Sequence, residues 1–143
     1  MRNKRGKPVE QPTAVIVEDE VLFAQALTAF LEDLGYQVLA TADSEEGAVQ
    51  VVCERRPDVV LMDLKLLDGD GVGAAIMIRE TFKVPIIFCT SYAADGAIQL
   101  AVESLGNAAL IGKPFDEAEL AALLANAVKT QPRDGTLGDS RWS

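Results

Sequence analysis

The feature that most restricts this chain is an alternation of two periodicities. Short β-branched and aliphatic runs stand at residues 14–17, 37–40, 59–62, 86–89 and 108–111, and each is followed by a segment of helical apolar spacing. Parallel strands need a long crossover to bring the chain back, most often a helix, so five such repeats predict an α/β protein built on a parallel sheet. The first helix is expected over 20–34, with Leu22, Phe23, Ala26, Leu27, Phe30 and Leu31 as its apolar stripe and Gly35 as its stop. Ser44 reads as the cap of the second helix, which has Glu45 and Glu46 in its first turn and ends at Arg55, before Pro57. The third and fourth helices are expected over 72–81 and 96–105, the latter stopped by Gly106. Asp116 opens the fifth, where Glu117 and Glu119 near the start and Lys129 near the end suit the helix dipole.

One domain over 13–129 accounts for all these elements, flanked by a basic leader, 1–12, and a flexible tail, 130–143. Arg2, Lys4, Arg5 and Lys7 lie among Gly, Pro, Asn and Gln, a composition of disordered segments. The apolar run behind the leader ends at Glu18, Asp19 and Glu20, which is unlike a signal peptide. No run approaches the roughly 20 apolar residues of a membrane span, so a cytoplasmic protein without membrane contact is expected. Net charge is -9, and residues 13–129 hold 7 basic against 19 acidic residues. Such a body repels nucleic acid and suits a cation or a basic partner. Histidine is absent, which removes Ser-His-Asp and Cys-His nucleophiles, histidine metal ligands and histidine phosphocarriers. Cys53 and Cys89 sit in apolar stretches and read as small buried hydrophobes rather than a disulfide.

In an open parallel sheet, functional side chains gather at the carboxyl ends of the strands, near the point where strand order reverses. Here those ends carry Glu18, Asp19 and Glu20, then Asp63, then Thr90 and Ser91, then Lys113 before Pro114. Taken singly, Asp19 is an ordinary helix cap, Lys113 a surface lysine, and Thr90 and Ser91 turn residues. Together they place acids, a hydroxyl and an amine on one rim.

Five blocks in order resemble the response-regulator receiver family: Val15-Ile16-Val17-Glu18-Asp19-Glu20; Val59-Val60-Leu61-Met62-Asp63-Leu64; Leu67-Asp68-Gly69-Asp70-Gly71; Pro85-Ile86-Ile87-Phe88-Cys89-Thr90-Ser91; and Ile111-Gly112-Lys113-Pro114-Phe115. The resemblance covers about 13–129 and implies a doubly wound (βα)5 flavodoxin-like fold with strand order 2-1-3-4-5. It implies that Asp63 accepts a phosphoryl group from a histidine kinase or histidine phosphotransferase. Glu18, Asp19, Asp63 and the backbone carbonyl of Lys65 would hold Mg²⁺, with Thr90 and Lys113 contacting phosphoryl oxygens. These roles suit the residue types, because phosphoryl transfer to a carboxylate needs positioning and charge neutralisation rather than a general base. The implied protein is a signalling switch, not an enzyme acting on other substrates.

No effector domain is read after residue 129, so output is expected through protein contacts at the helix 4, strand 5, helix 5 face, with a downstream partner or a second copy. Three positions depart from the common pattern. Glu18 stands where Asp is usual, Leu67 where Pro is common in the loop, and Leu110 where an aromatic switch residue is frequent. Lys65 and Tyr92 occupy positions that in this family tune the lifetime of the phosphoryl group. A haloacid-dehalogenase phosphatase would need a second aspartate where Lys65 stands. A flavodoxin would want amides and hydroxyls, not acids, in the first loop. The remaining alternative is a receiver-shaped interaction module that is never phosphorylated.

Overall fold

The computed structural model describes residues 11–129, so the expected leader, apart from its last two residues, and the expected tail lie outside the described residues. Five strands, β1 (Thr13–Val17), β2 (Gln37–Ala42), β3 (Val59–Asp63), β4 (Ile86–Thr90) and β5 (Ala108–Gly112), form one sheet in the order β2-β1-β3-β4-β5. Every neighbouring pair is parallel. The helices α1 (Val21–Asp33), α2 (Glu45–Arg55), α3 (Gly71–Arg79), α4 (Gly96–Leu105) and α5 (Glu117–Lys129) alternate with them. This is the expected doubly wound flavodoxin-like fold.

Local chemistry sets the element ends. Ser44 Oγ accepts a hydrogen bond from Gly47 N–H at 3.1 Å, as its sequence position implies. Asp70 and Asp95 cap α3 and α4 in the same way, accepting from Gly73 N–H at 2.7 Å and from Ala97 N–H at 2.9 Å. The Asp70 cap starts α3 at Gly71 rather than Val72, and that helix closes at Arg79 rather than Thr81. Gly71 is also a steric requirement, because a Cβ there would overlap the carbonyl oxygen of Asp63. Helix α1 begins at Val21 behind Glu20, whose side chain makes no capping bond.

Strand alternation divides the apolar interior between two faces of the sheet. On one face Ala14, Ile16, Val59, Leu61, Ile87, Cys89, Ala109 and Ile111 meet Leu27 and Leu31 of α1 and Leu120, Leu123 and Leu124 of α5. On the other, Val15, Val17, Val60, Met62, Ile86 and Phe88 meet Ala48 and Val52 of α2, Ala74, Ala75 and Ile78 of α3, and Val102 of α4. Leu110 packs, partly buried, against this second cluster. At the end of the sheet opposite the acidic rim, the Arg79 guanidinium donates to four backbone carbonyls. These are Val84 at 3.0 Å, Leu105 at 3.2 Å, Gly106 at 2.7 Å and Asn107 at 2.8 Å. One side chain thus ties α3 to the start of β4 and to the α4–β5 turn.

Candidate functional site

The carboxyl ends of β1 and β3 lie side by side at the centre of the sheet, where strand order reverses, and the acids gather there. Glu18 continues β1 by one residue, its N–H bonded to the Ala42 carbonyl at 2.8 Å, which carries its side chain inward. Asp63 closes β3 opposite Cys89 of β4. Both acids are buried, 5% and 7% exposed, so each needs a compensating partner. That partner is Lys113, held at the end of β5 by its own N–H bond to the Thr90 carbonyl at 2.9 Å. Its Nζ lies 2.7 Å from Glu18 Oε1, 3.0 Å from Asp63 Oδ2 and 3.4 Å from Glu20 Oε1. It also stands 4.4 Å from the centroid of the Phe23 ring.

Three carboxylates around one ammonium leave the pocket short of positive charge. Burial, reinforced by the neighbouring Asp63 charge, pushes the Glu18 carboxyl up to about 7 despite its bonds to Lys113 and to Glu20 N–H. Burial works against the Lys113 ammonium, yet hydrogen bonds and charges from Glu18 and Asp63 outweigh it and raise its pKa. Lys113 is therefore firmly protonated. The other Asp63 oxygen, Oδ1, accepts the Lys65 N–H at 3.3 Å, and the Lys65 side chain is exposed. Thr90 is buried one residue beyond the register partner of Asp63. Its Oγ accepts Tyr92 N–H at 3.1 Å, which leaves the hydroxyl proton available to donate.

Of the residues expected at the site, Glu18, Asp63 and Lys113 are brought into direct contact, Lys65 contributes its backbone beside Asp63, and Thr90 stands at the end of the adjoining strand. Asp19 stands apart. Among the described residues the acids whose oxygens lie within 4.8 Å of one another are Glu18, Glu20 and Asp63. Asp19 lines, together with Glu18, an open groove of about 520 Å³ between α1 and the end of β2, with Gln25, Thr28, Thr41 and Asp43. The donor set still fits a hard divalent cation, because clustered carboxylate oxygens, two of them on buried residues, carry more negative charge than one ammonium cancels. The sequence places Glu20 on the rim and Phe23 in the α1 stripe but assigns neither a part in the site. Three consecutive acids before a helix were the available signal for Glu20, whereas Phe23 was indistinguishable from the rest of the α1 stripe.

Comparison with known proteins agrees with this geometry. The family model described as response regulator receiver domain matches residues 14–125. The Phyllosphere-induced regulator PhyR of Methylorubrum extorquens is 38% identical over 116 residues, which cover 80% of this chain and 42% of that protein. The chain spans between 27% and 55% of the lengths of the curated relatives it matches. Among solved structures, the signal receiver domain of a modulated diguanylate cyclase from Desulfovibrio desulfuricans G20 has a TM-score of 0.77 and 32% identity, covering 87% of this chain and 99% of that one. The receiver domain of the sensor histidine kinase PA1611 from Pseudomonas aeruginosa PAO1 has a TM-score of 0.75 and 30% identity, covering 84% and 99%. That structure has a magnesium ion coordinated in the active site cleft. With the sheet order, the buried acid pair and the lysine all in place, the chain belongs to the response regulator receiver domain family of two-component signalling.

Proposed function

We propose that this chain is a phosphoacceptor switch in which Asp63 takes a phosphoryl group from a phosphohistidine of a histidine kinase or histidine phosphotransferase. The observation that carries this reading is the buried Asp63 carboxylate, with one oxygen 3.0 Å from Lys113 Nζ and the other on the Lys65 N–H. A carboxylate so placed is oriented for attack. Its oxygen forms the new O–P bond as the P–N bond of the donor breaks, and the electron pair returns to the imidazole nitrogen.

Glu18, Asp19, Asp63 and the Lys65 carbonyl would hold Mg²⁺; the oxygens that cluster are those of Glu18, Glu20 and Asp63, and Asp19 lines a groove beside Glu18. When bound, Mg²⁺ neutralises carboxylate and phosphoryl charge, so that two anions can approach. The chain's own contribution is to hold the acids at fixed positions, to offer the Lys113 ammonium to a phosphoryl oxygen, and to donate the Thr90 hydroxyl proton to another. The enzyme-like element is confined to this self-modification.

Output is assigned to the face formed by α4, β5 and α5, where a downstream protein or a second copy would dock. Leu100 of α4 is 65% exposed, and Ala97 of α4 and Ala118 of α5 are also exposed.

The test is phosphate-affinity electrophoresis after incubation with acetyl phosphate. Wild type should shift in Mg²⁺ and not in excess chelator, and Asp63→Asn should not shift at all, because the amide lacks the charge and nucleophilicity of the carboxylate. Equal labelling of Asp63→Asn would remove Asp63 from the mechanism. A wild type that never shifts would favour an interaction module that works unphosphorylated.

A further inference from the structure

We propose that Phe23 is a positioning residue for Lys113, its ring face retaining the ammonium at the site once Asp63 no longer bonds to it. This rests on the phosphoacceptor reading above and assigns a part of that site to α1.

Among the described residues Lys113 Nζ has four partners, three carboxylates and the Phe23 ring at 4.4 Å. The carboxylates are not constant partners. A phosphoryl group on Asp63 removes the carboxylate charge that Lys113 now faces, and Glu18 is one of the acids assigned to the cation. Glu20 is an exposed side chain at 3.4 Å, the longest of the three contacts. Between the engagement of those carboxylates by the cation and the arrival of a phosphoryl oxygen, an ammonium in a largely buried position either withdraws to solvent or finds another favourable environment. An aromatic face supplies one through its quadrupole, and chemistry at Asp63 does not alter it.

The ring is braced for this. Phe23 meets Phe115 edge to face, with centroids 5.9 Å apart and planes at 81°, and Phe115 in turn leans on Phe30 at 5.4 Å. Phe115 lies two residues after Lys113, so one segment carries both the amine and the support of the ring beside it. Phe23 also differs from its stripe neighbours Leu27 and Leu31, which are 1% and 0% exposed, in being only half-buried and turned toward a charge.

The experiment compares the full chain with Phe23→Leu, Phe23→Tyr and Phe23→pentafluorophenylalanine. The last keeps the shape of the ring and reverses its quadrupole. Two quantities are read: beryllofluoride affinity at saturating Mg²⁺, and the ring-current shift of the Lys113 ε-methylene protons. Phe23→Leu and the fluorinated ring should each weaken beryllofluoride binding about 2- to 30-fold, the range of a cation–π contact. Phe23→Tyr should stay within about twofold, keeping the upfield methylene shift that Phe23→Leu loses. A fluorinated variant that binds as tightly as wild type would overturn the inference, because ring shape alone would then suffice. So would a wild type whose Lys113 methylene shows no ring-current shift. A wild type that takes up no beryllofluoride would instead remove the phosphoacceptor reading and this inference with it. Uptake that is insensitive to all three variants removes the inference alone.

Discussion

Single residues show where type and place decide the chemistry. Cys53 and Cys89 have the same side chain, but Cys89 is buried in β4 and its thiol is pushed up to about 12 by burial, against the lowering effect of Lys113 and with smaller raising contributions from the Glu18 and Asp63 charges. Cys53 is half-buried on α2, its Sγ 3.2 Å from Thr81 Oγ. Because alkylation needs an accessible thiolate, iodoacetamide at mildly alkaline pH should modify Cys53 alone in the native protein and both cysteines in urea. Mass spectrometry of the folded protein checks this, and a doubly labelled native species would contradict the burial of Cys89. Position 110 shows a different kind of dependence. Leucine there is a good strand residue and packs against the cluster formed with α2, α3 and α4, but it has no hydroxyl with which to report on the Thr90 side of the sheet.

At the scale of elements, α3 depends most on one side chain. Arg79 makes four charge-assisted hydrogen bonds to carbonyls of two separate segments, and burial lowers its pKa from the ordinary arginine value. Arg79→Ala should cost about 2–4 kcal/mol in urea unfolding, since carbonyls that faced a cation lose it and the pieces it joins are no longer tied. Arg79→Lys should recover less than half of that loss, because a compact ammonium cannot fan out to four acceptors. A loss below about 0.5 kcal/mol would show that water replaces the guanidinium without penalty. The sequence predicted every strand and helix to within a residue or two, because alternation, caps and stop glycines are local signals. It did not reveal the Arg79 clamp, nor which of the three consecutive acids would face Asp63, because both depend on residues that meet only after folding. For output, beryllofluoride should change hydrogen-exchange protection in residues 90–105, through Thr90 and then α4. Changes confined to the acidic rim would rule out α4 as the moving part.

Across the whole molecule, charge and core are distributed differently. Acids dominate the body, and among the described residues no helix is long and apolar enough to cross a membrane. The ammonium paired with Asp63 comes from Lys113, directly after β5, so the site exists only when β1, β3 and β5 are assembled together. The apolar interior is split by the sheet into one cluster with α1 and α5 and another with α2, α3 and α4. Leu31→Val and Ile78→Val, one on each side, should each destabilise by about 1 kcal/mol and add to within about 0.5 kcal/mol, as separated sites do. Coupling larger than that in the double mutant would mean that the sheet transmits strain between its faces. If the two losses add, the sheet is a partition, and each side can drift on its own through generations of sequence change. The α4 side could then be reshaped for new listeners while the α1 side, with its ring and lysine, goes on accepting the same message.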